Sequence, residues 1–241
     1  MSLPLFLVSE LPPGSGLTLD GPEGHHAAVV QRIRVGERLL IGDGAGSTAR
    51  AVVRAVGKST LDLAIEQRWY ADPPAVRLTV AQGIAKGDRG ELAVQAMTEV
   101  GVDEIVPWAA SRSVAIWKGE RGTKARDKWA ATAREAGKQA RRPWLPVVAP
   151  GAVSTVELAR RAAAATFVLH EEAANALTAV PLPDSGDITL VVGPEGGISD
   201  DELATFTAAG AVPVRLGESV LRTSTAGLAA LCVLSVRLGR W

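Results

Sequence analysis

The spacing of apolar residues changes character about a third of the way along this chain. Up to about residue 72, apolar residues come in short runs at 4–9, 16–20, 37–42, 48–56 and 60–67, separated by turn formers such as "IGDGAGST". These runs predict strands. One helical stretch, 23–32, begins beside Pro22, a residue suited to a first helical turn. Several short strands closing on one helix predict a small β-barrel. "YADPPAVRL" ends the pattern, because Pro73 and Pro74 favour an extended linker.

Beyond the linker, strands predicted at 76–83, 104–108, 145–149, 166–170, 188–193 and 212–216 alternate with helices at 89–100, 122–140, 154–165, 199–209 and 223–238. That alternation implies a mainly parallel sheet with helices on both faces. A chain of 241 residues accommodates two domains, placed at 1–72 and 73–241.

Composition narrows the class. Hydrophobic residues make up 47% of the chain, enough for a core of ordinary size. Cys232 stands alone, so no disulfide forms within the chain, and a reducing, cytoplasmic setting is expected. "MSLPLFLVSE" lacks the basic start and apolar length of a secretory leader. The apolar stretch from Ala226 to Leu234 falls short of the ~20 residues that cross a bilayer. The expectation is a soluble protein with no membrane partner.

Lys+Arg and Asp+Glu balance at 26 each, yet the charge is unevenly spread. Residues 112–142 hold ten basic side chains (Arg112, Lys118, Arg121, Lys124, Arg126, Lys128, Arg134, Lys138, Arg141, Arg142) against three acidic ones (Glu120, Asp127, Glu135). Such an excess suits a polyanion, and equally a solvated helix face. Trp117, Trp129 and Trp144 lie among these charges, as base-stacking surfaces or as core. Three histidines, two of them adjacent, and one cysteine do not have metal-ligand spacing.

The tetrapeptide GPEG occurs twice, at 21–24 and 193–196. The first copy reads as a helix start and nothing more. The second follows the apolar run "DITLVV" and sits at the carboxyl end of a strand, where open α/β sheets bind ligands. Gly193, Gly196 and Gly197 allow close backbone approach to a ligand. Ser199 and Glu202 have capping-box spacing, and Asp200 and Asp201 add negative charge, so this helix start disfavours a pyrophosphate. Neither G-x-G-x-x-G after a strand nor G-x-x-x-x-G-K-[ST] is present. A neutral or cationic adenosine-type cofactor, held by backbone groups, remains open. "FVLHEE" and "RLGESVLRTSTA" end two further strands and would frame the same pocket.

These three segments, with "AKGDRGELAVQAMTEVGVDEIVPW", "SRSV" and "GPEGHHAAVVQRIRVGERLLIGDG", resemble the RsmE type of SPOUT-class RNA methyltransferases over most of the chain. The resemblance implies a PUA-like RNA-binding barrel and a C-terminal α/β domain with a deep trefoil knot, the knot and cofactor site falling at about 166–241. It implies methylation of N3 of a uridine, position 1498, in 16S ribosomal RNA of the small subunit. S-adenosylmethionine would be the donor, S-adenosylhomocysteine the product, and a homodimer the working form.

Carried over by position, the resemblance assigns cofactor binding to Leu169, His170, Gly193, Pro194, Glu195, Gly196, Leu216, Gly217, Leu221, Thr225 and Ala226. Ser224 stands where many relatives have Glu. Arg222 becomes the candidate catalytic residue, stabilising the anion that forms when N3 loses its proton; a bracing ion pair with Glu195 or Glu218 is its alternative role. Lys86, Arg112, Arg141 and Arg142 are candidate RNA phosphate contacts. A SPOUT ribose 2′-O methyltransferase and a non-catalytic ribosomal RNA assembly module stay open as other readings.

Overall fold

In a computed structural model, which describes residues 3–161 and 163–241, the chain divides into two compact units. The first comprises residues 1–73 together with 137–145, and the second 74–136 together with 146–241.

The first unit is a curled five-stranded sheet, a PUA-like half-barrel. Its strands are β1 (Leu5–Leu7), β2 (Gly16–Leu19), β3 (Arg38–Gly42), β4 (Ser47–Val56) and β5 (Leu61–Tyr70), in the order β1-β3-β4-β5-β2. The pairing of β4 with β5 shifts register between Arg50 and Ala51 and again between Val53 and Ala55. Each bulge adds twist, which is what curls a long hairpin around a core. Phe6, Leu19, Leu39, Ile41, Val53 and Leu61 fill that core.

Near the start of this unit, the helix α1 (Gly21–His25) continues as a wider π-type turn over His26–Val30. Pro22 stands in its first turn, as the sequence implied. Gly24 is required there: a methyl group at its α-carbon would lie 2.5 Å from the Leu19 carbonyl and 2.7 Å from that of Ser59. The first GPEG does more than start a helix, however. Glu23 pairs at 3.0 Å with the buried Lys138, in the short piece 137–145 that belongs to this unit. The sequence-based division assigned that piece to the second domain. Its place is explained by bonds from Gly46 N–H to the Pro143 carbonyl, from Leu145 N–H to that of Gly44, and from the Trp144 indole to that of Ala71.

The second unit is built on seven strands, all paired in parallel: β6 (Val76–Gly83), β7 (Glu104–Trp108), β8 (Val147–Val148), β9 (Ala165–Leu169), β10 (Asn175–Ala176), β11 (Gly186–Val192) and β12 (Val212–Arg215). Their order is β10-β12-β9-β11-β6-β7-β8. Alternate residues of each strand face opposite helical layers, so the central strands are mainly apolar on both faces, with Thr79, Gln82 and Thr189 as buried polar exceptions. Leu78, Val80 and Ile105 pack with α2 (Arg89–Glu99), α3 (Gly119–Gln139) and α6 (Thr223–Arg237). Ala81, Val106 and Val191 pack with α4 (Thr155–Ala159) and α5 (Asp200–Ala208). Both α4 and α5 begin with a complete capping box, Ser154/Glu157 and Ser199/Glu202.

One helix departs from expectation. The helix anticipated over 154–165 stops at Ala159; Arg161 instead reaches Glu104 at 2.8 Å, and Ala165 already belongs to β9. Residue 162, within that expected span, lies outside the described residues, as do residues 1 and 2 of the N-terminal segment. The tryptophans among the basic residues are packing groups. Trp117 and Trp129 meet edge to face at 4.7 Å, with Gly90 and Gly122 seated against them. Trp144 packs on Tyr70.

Candidate active site

Because the strands of the second unit are parallel, the segments that follow β9, β11 and β12 emerge at one edge of the sheet. They frame a cleft of about 740 Å³. Leu169, His170, Glu171 and Glu172 come from the first segment; residues 193–198 form the second; Leu216, Gly217 and residues 219–223 form the third. Ala226 in the first turns of α6 completes it, with Arg89 and Arg112 reaching in. Every candidate cofactor residue lines this cleft except Thr225, whose hydroxyl turns back to the Arg222 carbonyl at 3.2 Å.

The glycines have separate reasons for being there. A methyl group at Gly196 would lie 2.9 Å from the Arg112 β-carbon and carbonyl oxygen, and one at Gly193 would lie 3.0 Å from Ile198. Gly197 has φ +73, a left-handed turn that glycine adopts without strain. Gly193 and Gly196 are thus held to glycine by the loop's own packing and Gly197 by its backbone conformation, while all three line the cleft. Gly217 is different: a methyl there would meet nothing within 4 Å.

Glu195 accepts hydrogen bonds from Lys86 N–H at 3.1 Å and Arg89 Nη1 at 3.0 Å. Burial pushes its carboxyl group up, but its own N–H, the Lys86 N–H and Arg89 outweigh this, and it lies below the ordinary carboxylate value. Arg222, the N-cap residue of α6, makes no side-chain capping bond, and no carboxylate pairs with it among the described residues. The bracing role weighed for Arg222 therefore belongs to Arg89. His170 Nδ1 accepts from Glu172 N–H at 3.2 Å, which puts the ring proton on Nε2 and makes that nitrogen a donor.

The "SRSV" segment docks on the second GPEG loop. Arg112 Nη1 donates to the carbonyls of Gly196 at 3.3 Å and Ile198 at 3.2 Å. Ser111 N–H donates to Glu202 at 2.7 Å. Glu202 is buried, which raises its carboxyl group, yet the N–H and hydroxyl donors of Ser111 and Ser199 hold it below the ordinary value. Arg112 thus braces the second GPEG loop from an exposed position at the cleft. Lys86 and Arg141 are exposed. Arg141 and Arg142 lie in the first unit and do not line the cleft. Much of the basic excess in 112–142 is likewise committed within the fold: Lys124 to Glu120, Lys128 to Glu91, and Arg126 to the Val148 and Ala149 carbonyls.

A family model described as an RNA methyltransferase domain matches residues 72–235, and one described as an RNA methyltransferase PUA domain matches 19–66. The chain belongs to this RNA methyltransferase family. Its curated relatives include the ribosomal RNA small subunit methyltransferase E of Mycobacterium tuberculosis, 46% identical over 244 residues that cover 98% of this chain and 93% of the relative. Among solved structures, the methyltransferase of that name from Neisseria gonorrhoeae, bound to S-adenosylmethionine, superposes with a TM-score of 0.87. Its identity is 28%, with 98% of each chain covered. A methyltransferase from Legionella pneumophila in complex with the same cofactor gives 0.87 at 29% identity, again with 98% of each chain covered.

Within this RNA methyltransferase, sequence reading missed Arg89, Gln82 and Thr223. Gln82 did carry a signal, being an amide in an otherwise apolar strand end, "VRLTVAQG".

Proposed function

We propose that the chain methylates N3 of a uridine, position 1498, in the 16S RNA of the small ribosomal subunit, using S-adenosylmethionine and releasing S-adenosylhomocysteine. The observation that carries this reading is the Arg222 guanidinium, without a carboxylate partner among the described residues, beside a cleft framed by three strand-end loops.

The lining suits such a donor. Leu169, Leu216, Leu221 and Ala226 offer apolar surface for an adenosyl group, and Gly217 leaves room beside them. Glu171, Glu172 and Asp200 balance a sulfonium charge. The acid-capped start of α5 discourages pyrophosphate. When bound, S-adenosylmethionine supplies an electrophilic methyl group whose bond to sulfur breaks as the bond to N3 forms.

The residues of this chain have the remaining task of alignment and charge stabilisation. As N3 loses its proton, negative charge spreads to the uracil oxygens, and Arg222 stabilises it. Glu195 and His170 are already engaged, by Lys86 with Arg89 and by Glu172, so neither is poised as a base. The proton passes to solvent water, and activation rests on the lowered pKa of N3 beside a cation. Lys86, Arg141 and Arg142 are proposed phosphate contacts.

The working form is proposed to be a cytoplasmic homodimer. No helix among the described residues is long and apolar enough to cross a membrane. On α6, Gly227 and Ala230 are buried, and a methyl at Gly227 would lie 2.6 Å from the sulfur of Met97 on α2. Leu228, Ala229, Cys232, Val233 and Val236 remain partly or fully exposed, close to a single apolar stripe suited to a second copy.

Incubating the purified protein with small subunits and labelled S-adenosylmethionine tests the reading. Label is expected on uridine N3; label on ribose, or none on RNA, refutes it.

A further inference from the structure

Gln82 is completely buried at the end of β6, paired in register with Val192, the residue before Gly193. A buried amide is costly unless its polar atoms are bonded. Its Nε2 donates to Thr223 Oγ1 at 2.9 Å and to the Gly83 carbonyl at 3.2 Å. The Thr223 hydroxyl gives its one proton to the Gly193 carbonyl at 2.8 Å, so toward Gln82 it can only accept. The chain of donors has one direction: Gln82 to Thr223 to Gly193.

We infer that Gln82 is a positioning residue for the methyl-transfer site, orienting the Thr223 hydroxyl so that it ties the start of α6 to the second GPEG loop. Two of the three cleft segments are joined through this hydroxyl. Arg222 immediately precedes Thr223 and has no side-chain capping bond of its own, so its placement follows from that of Thr223. Gly83 supports the same junction, since a methyl there would lie 2.5 Å from the Pro194 nitrogen.

Gln82 Oε1 is buried with no partner among the described residues. A leucine would fill comparable space without leaving an orphaned acceptor. Keeping the amide therefore works against stability and is accounted for by its directed donor. The inference rests on reading the cleft as the cofactor site, but not on which RNA atom is methylated.

Four variants test it: Gln82→Leu, Thr223→Val, their double, and Thr223→Ser. Calorimetry with S-adenosylmethionine and amide exchange of the cofactor-free protein are the readouts. Each single change to an apolar residue is expected to weaken binding about tenfold and to speed exchange across residues 193–197. Because both act through one relay, the double is expected to bind no more weakly than the weaker single. Thr223→Ser keeps the hydroxyl and is expected to bind within about twofold of the parent. Melting temperature should stay within a few degrees. Parental affinity and exchange in both single variants, or losses that multiply in the double, overturn the inference. Should Gln82→Leu fail to fold, the Thr223→Val and Thr223→Ser pair decides in the same way. Absence of binding by the parent protein would instead overturn the cofactor reading itself.

Discussion

Arg89 Nη1 lies 3.0 Å from Glu195 Oε1, so the conspicuous acid of the second GPEG is paired from the start of α2, leaving Arg222 without a carboxylate among the described residues. A cation at a cleft with no protein partner is available to a substrate anion. On this basis Arg222→Ala should lower the single-turnover methylation rate by about 10²–10³-fold. Cofactor affinity and melting temperature should stay near parental values. Equal losses of rate and affinity would mean that Arg222 serves binding.

The Arg89–Glu195 pair predicts an acid sensitivity of defined sign. The Glu195 carboxyl group, raised by burial but lowered further by its own N–H, the Lys86 N–H and Arg89, sits below its unfolded value in the folded chain. A lowered folded value stabilises the fold above the unfolded value, about 4.3, and the contribution is lost as pH falls through the folded value. Glu195→Gln should therefore flatten the acid limb of a melting-temperature profile recorded over roughly pH 3 to 6. Arg89 is 45% exposed, which limits the pair to about 0–1 kcal/mol. A steeper acid limb in the variant contradicts the assignment.

Gly196 and Gly217 should respond in opposite ways to the same methyl group. Gly196→Ala forces the new methyl against Arg112 and is expected to cost about 1–3 kcal/mol of stability by denaturant unfolding. Gly217→Ala meets open space, so stability should hold while cofactor affinity falls by calorimetry. Equal stability losses at both sites would refute the separation of roles.

Arg141 has φ +52, a left-handed residue just after α3, where glycine is the common choice. Relief of that conformation by Arg141→Gly should raise stability, by up to about 1 kcal/mol. If Arg141 touches phosphate, the same change weakens RNA binding and reduces the salt slope by about 1. A variant that gains stability and keeps full RNA affinity removes Arg141 from the interface.

Much of the fold was legible because period-2 and helical runs were long and bounded by strong punctuation. The strand over 76–83 was read to the residue, as was the start of the last helix at 223. β10 escaped because two residues, Asn175 and Ala176, cannot display a period. The excursion of 137–145 into the first unit was hidden because its ties to Gly44, Gly46 and Ala71 are backbone contacts distant in sequence. At the cleft, residue types pointed to three loops that the fold brings together. Which cation faces which acid depended on tertiary placement, so Arg89 and the Gln82–Thr223 relay became visible only with coordinates.

The most direct measurement is mass spectrometry of 16S ribosomal RNA from a strain lacking this protein, compared with strains restored with the parent chain or Arg222→Ala. The account predicts that N3-methyluridine at position 1498 disappears on deletion, returns with the parent and stays absent with the variant. Persistence of the mark after deletion, or its full return with Arg222→Ala, would contradict it.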